Sequence, residues 1–410
     1  MLNTCLVLNY LDNNLYFCNL QLDIVDMLGA IIGDIVGSRW EFNPTNDYHF
    51  ELFSDENGFT DDTICTIAVA DAILHDSADY GRYIHEWCRN YPNPKGAYGG
   101  RFSGWIRSDN PQPYGSYGNG SAMRVSPVAW AFHSMDNALK AAKQTAECTH
   151  NHLEGIKGAQ TVALAICRAL QLRRLNSKAR DAVKKVIAEC VDFSGYDINL
   201  QKEKVQNKFD ETCQGTVPVA LWIISQSTDF EDAIRRAVSL GADADTLGAI
   251  VGSIAEAVWG IPENIRTTAL SYLDGRMRKV LSAWKSCEQI KTIDINTFVE
   301  KYIDYFLNKF APDSHAYYDL FDSPSFPDEC WGLGFDMDCG ESFIAAYGEE
   351  AWRSHNQLSS VIEKVDDIII LGSAFFSRWR YFNHWAYGHA TDNDKEWFLA
   401  ILRRMQELTK

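Results

Sequence analysis

The chain has 410 residues, which suits a core of about 200–300 residues with an appended unit rather than one minimal domain. Its 46% hydrophobic and 23% charged residues are typical of a globular protein, so the composition excludes a wholly disordered chain. The 38 Lys and Arg against 55 Asp and Glu give a formal net charge of −17. This charge disfavours general nucleic-acid binding, because phosphate recognition needs a basic surface. Runs of about eighteen apolar residues are absent from the sequence, so no membrane span is expected.

The cysteines and the first residues predict a cytoplasmic protein. The 11 cysteines include no C-x-x-C pair, which argues against a zinc ribbon or thioredoxin-type chemistry and indicates reduced thiols. Residues 1–26 lack the basic stretch and the small-residue cleavage site of a signal peptide. Met27 directly precedes a strong helical pattern. We therefore interpret residues 1–26 as an N-terminal extension, or as the product of a misassigned start.

The first patterned segment carries glycines four residues apart, at Gly29, Gly33 and Gly37. This spacing predicts a helix whose small-residue face lets a second helix approach closely. Residues 91–121 are rich in Gly, Pro, Ser and Asn, and they predict a long loop. Loops of that length in a compact domain are usually functional.

The remaining patterns up to about residue 290 are helical. They cover about 124–147, 154–173, 178–191, 215–227, 229–239 and 245–258. We find neither a convincing alternation of strand residues nor a repeat of solenoid period. The sequence therefore predicts an all-α main domain over residues 27–295.

The C-terminal part predicts a small, mostly α-helical accessory domain of unknown role over residues 312–410. Helical patterns cover 354–372 and 390–408, and the segment 375–389 between them is unusually aromatic, with Arg378 and Arg380 interleaved. An aromatic and arginine patch can stack bases or bind a partner protein. More often such a segment is the core of a small domain, and we favour that interpretation.

Two predicted helix starts carry the residues with the clearest chemistry. Thr60 is a natural N-cap for a buried helix over 60–75, with Asp61 and Asp62 in its first turn. Alone, this cluster indicates helix capping. A second helix start carries another pair of acids and a second threonine, namely Asp243, Asp245 and Thr246. Four carboxylates brought together would repel each other unless a cation neutralised them, and all-oxygen ligands suit Mg²⁺ or Mn²⁺. We therefore predict two divalent ions in one carboxylate site.

The chain resembles the ADP-ribosylglycohydrolase family, which includes the dinitrogenase-reductase-activating glycohydrolases and the ADP-ribosylarginine and ADP-ribosylserine hydrolases. The matching segments, which together span about 27–290, are GAIIGDIVGSRWEF (29–42), FTDDT (59–63), GNGSAMRVSPVAWAF (118–132), THNHLEGIKGAQTVALAI (149–166) and GADADTLGAIVGSIAEAVWG (241–260). The resemblance implies a compact orthogonal helical bundle with a binuclear Mg²⁺ or Mn²⁺ site. It also implies hydrolysis of the bond between C1″ of ADP-ribose and a modified group.

The resemblance assigns roles by position. It implies six metal ligands: Thr60, Asp61, Asp62, Asp243, Asp245 and Thr246. Glu41 lies where the family keeps a mobile acidic residue, although by its position alone it would be a solvated loop acid. Among these groups, the residues with catalytic roles are Glu41, Asp62 and Asp243.

The resemblance also implies a binding site for the ligand. Its residues are Gly118, Asn119, Gly120, Ser121, Met123, Arg124 and His150. The backbone N–H groups of Gly118–Ser121 would bind the ribose and diphosphate. For Arg124 two interpretations stay open, a contact with the ligand and a pairing with a carboxylate inside the fold. The adjacent long-loop residues Gly99, Gly100 and Arg101 would border the diphosphate.

These predictions describe a metal-dependent hydrolase that reverses ADP-ribosylation, in regulation or as an antidote to a toxin. Its substrate would be an ADP-ribosylated protein or other macromolecule, its product ADP-ribose, and its cofactors two Mg²⁺ or Mn²⁺ ions. The acceptor stays open between arginine, serine, another side chain, a base and a small molecule. Two alternatives are another Mg²⁺-dependent hydrolase acting on phosphate esters and a catalytically silent ADP-ribose-binding protein.

Overall fold

The computed structural model describes residues 27–286, 293–310, 325–384 and 390–409. The predicted extension, residues 1–26, lies outside them. The described residues are helices and connecting loops without a β-strand, and the one isolated bridge joins Gly118 and Thr212. The predicted all-α fold is thereby confirmed. Among the described residues, no helix combines the length and the apolar character needed to cross a membrane.

Residues 27–286 form fifteen helices around one hydrophobic core. They are α1 (Gly29–Gly37), α2 (Asp61–Leu74), α3 (Tyr80–Asn90), α4 (Gly100–Arg107), α5 (Gly120–Met123), α6 (Ser126–Ala131), α7 (Met135–Glu147), α8 (Leu153–Arg174), α9 (Ala179–Ser194), α10 (Lys202–Val205), α11 (Cys213–Gln226), α12 (Phe230–Val238), α13 (Ala244–Trp259), α14 (Glu263–Ser271) and α15 (Gly275–Lys285). Helix α13 lies at the centre, because all of its residues up to Val258 are buried.

Helices α1 and α13 pack with their backbones in direct contact, as the glycine spacing predicts. A Cβ atom on Gly33 would overlap the carbonyl group of Gly248, and one on Gly29 would overlap the carbonyl oxygen of Gly252. Only residues without side chains allow this approach, which brings the ends of α1 and α13 together.

A buried carboxylate in α1 holds the start of α2. Asp34 Oδ2 accepts hydrogen bonds from the backbone N–H groups of Thr60 and Thr63, at 3.0 and 3.1 Å. Its Oδ1 accepts the hydroxyl of Thr60 at 2.8 Å. Thr60 is the N-cap of α2 as predicted, since its hydroxyl oxygen accepts from the N–H of Asp62. Helices α1 and α2 are therefore joined by polar contacts inside the core.

Two predictions for residues 27–286 are wrong. The predicted loop 91–121 contains helix α4, because Phe102, Trp105 and Ile106 form a buried stripe among its glycines. The predicted helix over 124–147 is two helices, α6 and α7, which are separated at residues 132–134. Burial of three aromatic or aliphatic side chains outweighs the low helix propensity of glycine in the first case.

The remaining helices form a second hydrophobic core. They are α16 (Ile295–Asn308), α17 (Ser325–Gly332), α18 (Gly340–Tyr347), α19 (Glu349–Arg353), α20 (His355–Ser359), a 3₁₀ turn (Ile362–Lys364), α21 (Ile368–His384) and α22 (Asp392–Leu408). The single helix predicted over 354–372 is therefore wrong, because three separate elements occupy that range. Helix α16 contributes to this second core as well, and the division into domains at 295 and 312 stays a prediction.

The aromatic segment that starts at residue 375 is core in its described part. Phe375, Phe376 and Trp379 are buried in α21. Arg378 is also buried, and its guanidinium donates to Asp394 Oδ1 at 2.6 Å. The favoured interpretation of this segment therefore holds up to Phe382, while residues 385–389 lie outside the described part.

Polar contacts attach the second core to α8. Gln171 Nε2 donates to the carbonyl oxygen of Trp331 at 3.1 Å, and Arg174 Nη1 donates to that of Gly332 at 3.0 Å. Leu175, which caps α8, is buried in the second core.

Candidate active site

The predicted site residues meet around a cleft of about 440 Å³. Most of them line it, namely Glu41, Asp61, Asp62, Gly118, Asn119, Gly120, Met123, Arg124, His150, Asp243, Asp245 and Thr246. Two do not: Thr60 and Ser121 are fully buried behind the wall. The hydroxyl of Ser121 donates to the carbonyl oxygen of Gly155 at 2.7 Å, so it holds α8 rather than facing the cleft.

The acidic wall is built from the first turns of two helices. Asp61 and Asp62 open α2, while Asp243 caps α13 and Asp245 lies in its first turn. The hydroxyl of Thr246 lies 3.5 Å from Asp62 Oδ1, which links the two helix starts directly. The N-terminal ends of both helices favour negative charge, and this partly explains how the fold tolerates the carboxylates.

The pKa values of the carboxyl groups on this wall are strongly raised. Burial raises the pKa of Asp61 to about 8 and that of Asp243 to about 6. Burial, with the negative charges of Asp243 and Asp34, raises the pKa of Glu41 to about 7. The pKa values of Asp62 and Asp245 are raised well above the usual range by burial and by neighbouring carboxylates. The cluster is therefore costly to ionise without a cation.

Within the part of the chain that the structure describes, three buried oxygen atoms on this wall have no hydrogen-bond partner: Glu41 Oε2, Asp62 Oδ2 and Asp245 Oδ1. Unpaired buried acceptors usually indicate a missing ion or water. Among the described residues, no group of three or more His, Cys, Asp or Glu is arranged so that it could hold a metal ion. The chemistry of the oxygens nevertheless fits a hard divalent cation.

A second wall of the cleft carries the Gly118–Gly120 segment and contacts the acidic wall. The N–H of Asn119 donates to the carbonyl oxygen of Glu211 at 2.7 Å, which anchors this segment to the loop before α11. The side chain of Asn119 donates to Asp243 Oδ2 at 2.7 Å. The segment therefore also orients a carboxylate of the acidic wall.

Arg124 does not form the predicted pair with a carboxylate among the described residues, and its predicted contact with the ligand stays a prediction. Its guanidinium is buried and donates to the carbonyl oxygen of Thr145 at 2.8 Å and to Thr149 Oγ1 at 2.7 Å. No ion pair to Arg124 is formed by the described residues, so a carboxylate inside the fold is not its partner there. Arg101 lies across Tyr114, with the guanidinium carbon 4.8 Å from the ring centroid.

A sequence model of one protein family, ADP-ribosylglycohydrolase, matches residues 26–291. The match covers well over half of the chain and includes both walls of the cleft. The chain belongs to the ADP-ribosylglycohydrolase family. It is an ADP-ribosylglycohydrolase enzyme, as the resemblance of its motifs predicts.

Individual relatives agree with the family. The chain is 28% identical over 276 residues to ADP-ribosylarginine hydrolase Tri1 of Pseudomonas putida (strain GB-1), a match that covers 60% of this chain and 73% of that protein. It is 25% identical over 323 residues to human ADP-ribosylhydrolase ARH3, covering 60% and 88%. A solved structure described as an ADP-ribosylglycohydrolase-related protein complex aligns with a TM-score of 0.49 at 25% identity, covering 64% of this chain and 95% of that chain.

Several residues that line or support this ADP-ribosylglycohydrolase site were not predicted from the sequence, among them Asp34, Phe209 and Glu211. Asp34 is an acid inside an otherwise apolar helix, and that anomaly was an available signal. Phe209 and Glu211 line the cleft beside Asn119, although their segment has no pattern that points to the site. Their position follows only from the contact between the Gly118–Gly120 segment and the loop before α11.

Proposed function

We propose that this protein hydrolyses the bond between C1″ of ADP-ribose and a modified acceptor, with two divalent cations held by Asp61, Asp62, Asp243, Asp245 and Thr246. Thr60, the sixth predicted ligand, would join them only if its hydroxyl turned from Asp34 towards the cleft. The observation that carries the proposal is the meeting of buried, unpaired carboxylate oxygens with the Gly118–Gly120 segment across one cleft. A site for phosphate esters would need the cations, but it would not explain the family match over both walls.

When bound, Mg²⁺ or Mn²⁺ supplies charge that polarises a ribose hydroxyl and lowers the pKa of a water. Glu41 is placed for proton transfer, because its carboxyl group lines the cleft together with Asp243 and Asp245. Asn119 keeps Asp243 oriented through its 2.7 Å hydrogen bond. In the Gly118–Gly120 segment the N–H groups of Gly118 and Asn119 already donate to Ser116 Oγ and to the carbonyl oxygen of Glu211, so the N–H of Gly120 is the group that would bind an oxygen atom of the ribose or diphosphate without adding charge.

The test is release of ADP-ribose by the full chain from arginine-, serine- and nucleic-acid-linked ADP-ribose, with Mg²⁺, Mn²⁺ or EDTA. Release from one or more acceptors that EDTA abolishes supports the proposal. Hydrolysis of a phosphodiester instead would favour the phosphate-ester alternative. Metal-dependent binding of ADP-ribose without release from any acceptor would favour the silent binding protein.

For the acceptor, we infer that a cationic side chain such as arginine is favoured. Two exposed aromatic side chains, Phe42 at 73% and Phe209 at 50% exposure, lie at the cleft on the side of Glu41 and Glu211. Glu211 is exposed, and its negative charge contributes to the raised pKa values of Glu41 and Asp243. Aromatic faces together with a carboxylate are suited to a guanidinium group.

Glu211→Gln is expected to raise KM for arginine-linked ADP-ribose by about 5-fold, the effect of losing one partly exposed ion pair. KM for serine-linked ADP-ribose should not change, because that acceptor carries no positive charge. Initial rates on the two matched peptides measure the difference. Equal changes on both peptides would contradict the inference.

The raised pKa values predict how stability depends on pH without metal. The pKa values of Asp243, Glu41 and Asp61 in the folded protein, about 6, 7 and 8, lie above their ordinary values of 3.8, 4.5 and 3.8. The folded state therefore binds more protons than the unfolded state, and the free energy of unfolding falls as the pH rises from about 4 to about 8. Metal binding displaces these protons, so added Mg²⁺ should raise Tm more at about pH 8.5 than at about pH 5.5.

Thermal denaturation at the two pH values, with EDTA or Mg²⁺, measures this difference. Buffer containing only Na⁺ at equal ionic strength is the control for general charge screening. A Tm rise with Mg²⁺ that is equal at both pH values would contradict the prediction.

A further inference from the structure

Three consecutive hydrogen-bonding groups run from the core to the cleft behind the Gly118–Gly120 segment. Arg124, Thr149 and His150 are at most 6% exposed. Arg124 Nη2 lies 2.7 Å from Thr149 Oγ1, and the same oxygen lies 2.7 Å from His150 Nδ1. The chain of contacts therefore passes from a buried cation through one hydroxyl to the imidazole ring.

The direction of these hydrogen bonds follows from the groups themselves. A guanidinium group only donates, so Thr149 Oγ1 must accept from Arg124. The hydroxyl then has one proton to donate, and His150 Nδ1 is its neighbour. If His150 Nδ1 carried a proton instead, the hydroxyl of the fully buried Thr149 would have to donate to Cys148 Sγ, which also lies next to Arg124 Nη2. A thiol sulfur is a weak acceptor and an imidazole nitrogen is a strong one, so the first arrangement is favoured.

With Nδ1 accepting, the proton of the neutral ring resides on Nε2. The ring is neutral, because burial and the positive charges of Arg124 and Arg101 lower the pKa of His150 well below its usual range. Nε2 faces the glycine segment: a Cβ atom on Gly120 would lie 3.2 Å from it, and one on Gly118 would lie 3.4 Å from it. The two glycines thus leave the Nε2–H group open to the cleft, which His150 lines.

We propose that Thr149 and Arg124 are positioning residues that hold His150 in its Nε2–H tautomer, so that this N–H donates to an oxygen atom of ADP-ribose lying on the Gly118–Gly120 segment. The proposal rests on the proposed function for the identity of the ligand. The positive charge of Arg124 polarises the Thr149 hydroxyl and disfavours the doubly protonated form of His150. Thr149 accepts a hydrogen bond from Arg124 and donates its own proton to His150 Nδ1. A donor that stays uncharged suits a cleft whose other wall is crowded with carboxylates, since it is not drawn into an ion pair with them.

The first measurement is ¹⁵N NMR of histidine-labelled full-length protein, which distinguishes the two neutral tautomers and the imidazolium. The His150 signals are assigned by their absence in His150→Asn. We expect the Nε2–H tautomer in the wild type and in Thr149→Ser, and a mixture of tautomers in Thr149→Val, which has nearly the same shape but no hydroxyl. An Nδ1–H tautomer in the wild type would overturn the proposal.

The second measurement is the Kd of ADP-ribose by calorimetry, with Mg²⁺ present, for the same variants. Thr149→Val should weaken binding by about 5- to 10-fold, the effect of one poorly directed hydrogen bond, and Thr149→Ser should restore it. Unchanged tautomer and affinity in Thr149→Val, or a loss of affinity that serine does not restore, would contradict the role of the hydroxyl. Failure of the wild type to bind ADP-ribose would refute the proposed function, and with it the hydrogen bond from His150 to the ligand. The tautomer of His150 is measured by NMR without ligand, so that result does not depend on ADP-ribose binding.

Discussion

Asp245→Asn is expected to lower kcat/KM for ADP-ribose release by more than about 100-fold. Mutation of a residue that only hydrogen-bonds to a metal ligand already lowers activity or metal affinity by about 10- to 100-fold, and Asp245 is proposed as a ligand itself. Asp245 is buried in the first turn of α13, and no described residue forms a hydrogen bond with its Oδ1. The metal-free variant should nevertheless unfold at an equal or higher temperature than the wild type. Burial and neighbouring carboxylates raise the pKa of Asp245 well above its usual range, and asparagine removes that unfavourable charge.

Three measurements together check this prediction: initial rates, metal affinity by calorimetry, and Tm with EDTA. Asp109→Asn is the matched control, because Asp109 is an exposed acid paired with Arg89 outside the cleft, and all three quantities should stay unchanged there. Retained activity in Asp245→Asn would contradict its role as a ligand. A large fall in Tm of the metal-free variant would show that Asp245 supports the fold instead.

Gly33→Ala is expected to destabilise the protein by about 3 kcal/mol or more, the upper part of the range for overpacked cores. The new methyl group would overlap the backbone of Gly248, and a backbone cannot rotate away as a side chain can. Helices α1 and α13 would have to separate. Because α1 carries Asp34 and α13 carries Asp243 and Asp245, activity should fall together with stability.

Denaturant unfolding measures the change, and Gly104→Ala is the matched control. Gly104 lies inside helix α4, and apart from its chain neighbours and the backbone of its own helix, no atom of the described residues lies within 4 Å of the position that a methyl group would take there. Alanine at this position should therefore be neutral or stabilise the protein by about 0.5–1 kcal/mol. Similar stabilities for the Gly33 and Gly104 variants would show that the α1–α13 contact relaxes easily.

The local patterns of the sequence were sufficient for much of the fold. The glycine spacing of α1 predicts the close helix contact, and Thr60 predicts the start of α2, because both depend on residues within one or two helical turns. Helix α4 was missed because its glycines suggest a loop, whereas burial of Phe102 and Trp105 stabilises a helix there. Propensity describes the isolated segment, and burial depends on its neighbours in space.

The candidate site was likewise predictable only in part from the sequence. The two clusters of acids and the Gly118–Gly120 segment were recognisable by their residue types. That Asp34 supports Thr60 and Thr63, that Asn119 bonds to Asp243, and that Phe209 and Glu211 join the cleft depends on contacts between distant segments.

The sequence by itself determined the helical class, the family and the acidic residues at two helix starts, since these follow from periodicity, composition and short motifs. Only the tertiary structure decided which atoms are left unpaired and which way a shared hydrogen bond points. Thr60 and Ser121 lie behind the wall, and Thr149 lies between Arg124 and His150. Burial and hydrogen-bond direction are properties of groups that meet in space, and no local pattern encodes the removal of a particular oxygen or nitrogen atom from water.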